Sequence, residues 1–176
     1  VEIPGVSVMN VLRKAKQPFK ETPLKGVGFV KRFREQLLEH ASSLKLPEDF
    51  LRRSLNEGFS GGEKKRSEIL QMMALKPKLV ILDEIDSGLD VDGLKIVAGA
   101  IKQFTIHSPQ SSVLLITHYA RILKYLKPDF VHIMMDGRIV RSGKLELAKL
   151  VEEKGYQNFQ KSTDYSPRST AVVSSQ

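Results

Sequence analysis

The apolar positions of this chain follow two different rhythms. From Val27 to Leu44, the residues Val30, Phe33, Leu37, Ala41 and Leu44 recur at intervals of three and four, which predicts an amphipathic helix. Leu79 to Leu82 and Val113 to Ile116 are short, nearly unbroken apolar runs, the pattern of parallel strands buried on both faces. Between them Leu94, Val97, Ile101 and Phe104 return to helical spacing, so strand, helix and strand make a βαβ unit. Phe130 to Met134 and Arg138 to Val140 flank Asp136-Gly137, the turn chemistry of a hairpin. Gly143 to Lys154 predicts a last helix. The first 26 residues are broken by Pro4, Gly5, Pro18, Pro23 and Gly26, leaving a short helix near Ser7 to Ala15 and then a loop. Pro47-Glu48-Asp49 has the make-up of another helical first turn, with proline near its start and acids behind it. There is no internal repeat. The expected organisation is a helical subdomain over 1–76, an α/β core with a parallel sheet over 77–156, and a tail over 157–176. The tail's serine- and threonine-rich composition predicts disorder.

Composition changes this picture little. The 176 residues suit one domain, and 41% hydrophobic against 27% charged is an ordinary globular balance. With no cysteine, disulfides and thiolate-bound metals are excluded. The longest apolar runs are too short to cross a bilayer, so no direct membrane insertion is expected. The chain opens on Val1-Glu2-Ile3-Pro4-Gly5 with neither a methionine nor a secretory signal pattern, which suggests truncation. Charge is less even. The net +8 is concentrated between Arg13 and Arg34, where eight basic residues face one acid, Glu21. Such a stretch can meet an acidic or nucleic-acid partner. No interleaved aromatics or nucleic-acid motif accompany it, so a solvated face, or a charge balanced by a missing acidic portion, is the simpler reading and a nucleic-acid partner is disfavoured.

Four constellations carry chemistry. Ser60 and Glu63, in Phe59-Ser60-Gly61-Gly62-Glu63, form a capping box before the apolar positions Ile69, Met72 and Met73. Capping needs neither Gly61 nor Gly62, and glycine weakens helix initiation. Two glycines make sense where something must approach the backbone, and bare N–H groups at a helix start suit a phosphate. Next, the strand ending Leu82-Asp83-Glu84 delivers adjacent carboxylates at its C-terminal end, where open α/β sheets bind ligands. Alternation sends the two side chains different ways, so one can hold Mg²⁺ and the other face a water. The plain alternative is a strand running into a solvated acidic turn. Ser87-Gly88-Leu89-Asp90 reads as a turn with Asp90 capping the next helix. Lastly, His118 follows the second strand, where it can sense a phosphate or merely pack.

Their order and spacing carry more than any one of them. Ser60 to Asp83 is 23 residues and Asp83 to His118 is 35. In this the sequence resembles the ABC ATPase family, with its signature, Walker B, D-loop and H-loop elements. Gly58 to Arg66, Asp83 to Asp90, Thr117-His118-Tyr119, Lys127-Pro128-Asp129 and the opening Val1 to Val6 are similar to the ATPase subunit of the SUF iron–sulfur cluster assembly system. Phe59 and Glu63 replace the usual leucine and glutamine of the signature, and Ile85-Asp86 stands where most transporter ATPases have Pro-Thr or Pro-Ser. The resemblance implies a partial P-loop NTPase-like fold and two subunits clamping ATP head to tail as an ATP-dependent homodimer. In that arrangement Ser60, Gly61 and Gly62, with Glu63 beside them, meet the γ-phosphate held by the other subunit. Asp83 supports Mg²⁺, Glu84 is the general base, His118 contacts the γ-phosphate, and Asp90 works across the interface. It further implies ATP hydrolysis, SUF scaffold subunits as partners, and a soluble setting in plastid stroma or bacterial cytoplasm.

One departure is large. The phosphate-binding loop needs G-x-x-x-x-G-K-[ST]. The sole Gly-Lys pair, Gly143-Lys144, lies five intervening residues after Gly137 and is followed by Leu145. The Q-loop glutamine is also lacking. The expectation is a fragment that begins just after the Q-loop, that by itself neither binds ATP tightly nor turns it over, and that bares an apolar sheet face. Three other readings stay open: an ABC transporter's nucleotide-binding subunit, a nucleic-acid-associated ATPase (the sequence shows no heptads of the coiled-coil type) and a regulator that has lost its P-loop.

Overall fold

The computed structural model describes residues 2–16 and 27–159. The chain divides into two compact units, Val1–His118 and Tyr119–Gln176. The first opens with β1 (Ile3–Ser7) and α1 (Val8–Lys16), followed by α2 (Val27–Ser43). The stripe on α2 behaves as its spacing requires: Phe33, Leu37 and Ala41 are buried, as is Leu44 just beyond it. Val30 departs from the stripe and stays 39% exposed. After Pro47 the expected short helix is a single 3₁₀ turn, Phe50–Arg52, which ends where Arg53 turns extended (φ −68°, ψ 149°). That turn drives Phe50 to full burial in one core with Leu12, Leu37, Leu44, Ile69 and Leu70. The pairing of β1 with β2 (Ser54–Leu55) was not foreseen. Pro4 and Gly5 disguise the strand, and they sit where such residues are tolerated, in an irregular edge strand with Gly5 at φ +74°.

α3 (Gly61–Leu75) packs on α1, α2 and α4 (Val91–His107) and ends at Lys76, which adopts the left-handed conformation at φ 51°. β3 (Leu79–Asp83) and β4 (Ser112–Ile116) pair in parallel, in register from Leu79↔Ser112 to Asp83↔Ile116, with α4 as the crossover. The βαβ unit is therefore present, but burial on both faces is not. Val80 and Leu82 are buried, whereas Leu79, Ile81, Leu114 and Ile116 are 59, 60, 48 and 44% exposed. Near-continuous apolar sequence signals cover on both sides. Among the described residues of this unit only one side is covered, which is the bare face expected above.

In the second unit β5 (Val131–Met135) and β6 (Arg138–Gly143) form the antiparallel hairpin. Asp136 (φ 49°) and Gly137 (φ 74°) both take the left-handed conformation its tight turn demands. α5 (Leu145–Lys154) packs against it, and Ile133, Leu147 and Phe159 close a small core. Packed structure thus extends to Phe159, into the expected tail, while 160–176 lie outside the described residues. Gly143 and Lys144 join an antiparallel strand to α5, not the parallel-strand setting of a phosphate loop.

Candidate nucleotide site

The signature segment forms the capping box. The Ser60 Oγ accepts the Glu63 N–H at 3.2 Å, and the Glu63 Oε2 accepts the Ser60 N–H at 2.9 Å. The other carboxylate oxygen of Glu63 accepts Arg53 Nη1 at 2.6 Å. The Ser60 N–H first, and then Arg53, hold the Glu63 carboxyl below the ordinary value of 4.5, against a desolvation that opposes them. Glu63 therefore faces its own loop, with its side chain 17% exposed. The first N–H groups of α3 lack intrahelical partners, as at any helix start. A Cβ on Gly61 would meet nothing within 4 Å, and one on Gly62 would make only ordinary contacts at 3.8 Å with Arg66 and Leu89. Neither glycine is demanded by the chain's own packing. What they provide is a bare backbone that an outside group can approach.

At the sheet's C-terminal edge, Asp83 is exposed as the last residue of β3. Glu84 follows in the left-handed conformation, φ 48°, an uncommon and strained choice for a non-glycine residue. Its N–H donates to the Ile116 carbonyl at 2.9 Å, and its Oε1 lies 2.8 Å from His118 Nε2. The structure thus brings Glu84 and His118 together. Both are open, with side chains 45 and 73% exposed. Beneath them Ile85 and Asp86 are buried, and Thr117 Oγ1 donates to Asp86 Oδ2 at 2.9 Å. The loop after β3 is thereby tied to the end of β4 through backbone, exposed pair and part-buried pair. The sequence alone did not single out the contacts of Asp86 with Thr117 and of Arg53 with Glu63; the Ile85-Asp86 variant was the available hint for the first.

Asp90 caps α4, its Oδ1 accepting the Gly93 N–H at 2.6 Å, after a turn in which Gly88 has φ +71°. Among the described residues no group of three or more histidines or carboxylates is gathered to hold a metal ion. Asp83 is a single hard-oxygen donor. That fits Mg²⁺, which uses one or two carboxylates and otherwise phosphate and water oxygens, but not a pre-built protein cage. No helix among the described residues is long and apolar enough to cross a membrane.

The family profile described as ABC transporter matches residues 7–87. The probable ATP-dependent transporter SufC of Escherichia coli is 50% identical over 158 residues, 89% of this chain and 62% of that protein. Over most of its length the chain is similar to ATPases of the ABC family. A further family member, the chloroplastic ABC transporter I family member 6 of Arabidopsis thaliana, is 48% identical over 161 residues, 89% of the chain and 46% of that protein. The chain thus spans less than two thirds of the length of these relatives. Among solved structures, an ATP-binding subunit of an ABC transporter superposes with a TM-score of 0.69 at 22% identity, covering 92% of this chain and 65% of that one. The dimeric bacterial ABC transporter cassette MJ0796 gives 0.63 at 21% identity, covering 82 and 59%. These establish the fold, a partial P-loop NTPase-like α/β domain.

Proposed function

We propose that this chain provides the signature face and the catalytic carboxylates of an ATP-hydrolysing subunit in a SUF-type iron–sulfur cluster assembly complex. The observation that carries the proposal is the Glu84–His118 pair at 2.8 Å, held at the ends of two parallel strands directly beside Asp83. Such a pair can orient a water, Glu84 accepting its proton while His118 meets the phosphoryl oxygens. Asp83 would hold Mg²⁺ arriving with ATP, and bound Mg²⁺ would neutralise phosphate charge. The Ser60 hydroxyl and the N–H groups of Gly61 and Gly62 are offered to the γ-phosphate of a nucleotide carried by a second, head-to-tail subunit. Asp90 serves the same interface, and Glu63 acts from within the capping box. The likeness to SufC and to a chloroplastic relative supports a SUF role with scaffold subunits as partners, in bacterial cytoplasm or plastid stroma.

The test is trans-complementation. The chain is mixed with a family ATPase subunit that carries its own P-loop and has its base glutamate changed to glutamine. ATP-dependent co-elution, abolished by Ser60→Arg, is expected, together with no turnover by the chain alone. Failure to co-elute at millimolar ATP overturns the proposal, and turnover by the isolated chain overturns the division of labour. A second reading, an ABC transporter's nucleotide-binding subunit, draws on the relatives' description as probable ATP-dependent transporters. Recovery with membrane-domain proteins instead of soluble scaffold subunits would favour it.

A further inference from the structure

The two signature residues that depart from the family's usual pattern, Phe59 and Glu63, share one neighbour. Arg53 donates through Nη1 to Glu63 Oε1 at 2.6 Å and through Nη2 to the Gly58 carbonyl at 3.2 Å. Its guanidinium carbon also lies 4.6 Å from the centre of the Phe59 ring and 5.7 Å from that of Phe50. Those two rings meet each other at 4.6 Å, with Phe50 fully buried. One side chain therefore grips the segment on both sides of Ser60: the ring and carbonyl before it, the carboxylate after it. The planar fork of arginine can hold two acceptors and stack on rings at once, which a lysine ammonium cannot. With its side chain 29% exposed, the guanidinium is partly withdrawn from water, so these contacts are less screened than a surface pair.

We infer that Arg53 is the positioning residue of this variant signature, and that Phe59, Glu63 and Arg53 form one unit that fixes where the Ser60 hydroxyl and the N–H groups of Gly61 and Gly62 point. Arg53 fixes the loop, and its effect on nucleotide rests on the function proposed above. Loss of either ring or acid leaves the arginine with half its anchors. Conversely, a Leu-Ser-Gly-Gly-Gln loop takes from the arginine the Phe59 ring and the carboxylate and leaves it the Phe50 ring and the Gly58 carbonyl, so the loop depends on it less.

The test has two readouts. Amide hydrogen exchange of Gly58 to Gly62 is followed in the free chain, and the ATP concentration for half-maximal trans association is measured with the P-loop-bearing subunit. Arg53→Met is expected to speed exchange across Gly58 to Gly62 about tenfold while α4 and β3 keep their protection, and to raise the required ATP by a similar factor. Arg53→Lys recovers part of each effect. In a Phe59→Leu/Glu63→Gln background, where only the Gly58 carbonyl and the Phe50 ring remain to it, Arg53→Met has a much smaller effect on both readouts. Unchanged exchange in Arg53→Met, or loss of protection throughout the chain, overturns the inference, as does an undiminished effect in the double-variant background. If the unaltered chain fails to associate at all, the function proposal falls, while the exchange experiment still decides the role of Arg53.

Discussion

At the scale of single residues, this chain uses its charged groups mainly to hold loops. His40, in the last turn of α2, is used differently. Burial first, and then the positive charges of Lys76 and Lys16, keep its imidazole below the ordinary value of 6.5, with Glu39 opposing. A lowered folded-state value means that protonation favours the unfolded chain. The associated stability is complete above the unfolded value and is lost as pH falls through the folded one. Chemical denaturation between pH 7.5 and pH 5 should therefore show stability falling below about pH 6.5. His40→Gln should flatten that part of the profile, and an unaltered slope in the variant would assign it to other groups.

At the scale of elements, the start of α4 sets two principles against each other. Gly93 occupies a helix, where alanine is better by about 1 kcal/mol. A Cβ there, however, would fall 2.8 Å from the Asp90 Oδ1 that caps the same helix. The carboxylate can swing away, but the cap is then lost, at a cost of about 0.5–2 kcal/mol. Gly93→Ala should accordingly leave the melting temperature nearly unchanged. In an Asp90→Ala background, with the cap already gone, the same substitution should raise stability by about 1 kcal/mol. A stabilising effect of equal size in both backgrounds would show that Gly93 and Asp90 are uncoupled. This also marks what sequence could tell. The stripe Phe33, Leu37, Ala41, the capping box at Ser60, the β3–β4 pair and the Asp136-Gly137 turn are local, periodic or stereotyped, so they were legible. The β1–β2 pairing, Asp86 with Thr117 and Arg53 with Glu63 were not. They join residues with no period between them, and Pro4-Gly5 argued against a strand.

At the scale of the molecule, the bare side of β3–β4 has the largest consequence. Leu79, Ile81, Leu114 and Ile116 form an apolar strip on one sheet face that ends at Asp83. Monomeric proteins seldom leave such a patch open. The isolated chain should bind an apolar dye and associate as its concentration rises. Ile81→Ser/Leu114→Ser should reduce both while leaving the circular dichroism spectrum intact, because exposed positions carry little of the packing. Collapse of the spectrum in that variant would show the strip to be structural.

The strip also makes the stability of this chain a matter of mass action. Any segment or protein that covers the face in the folded state, and ignores the unfolded one, adds its own binding free energy to the fold. At one hundred times its dissociation constant that addition is about 2.7 kcal/mol, a large share of what holds a domain of this size together. A melting temperature measured on the chain alone is then a floor. In a cell, the amount of intact protein would follow the supply of whatever covers β3 and β4, with the uncovered excess cleared by proteolysis.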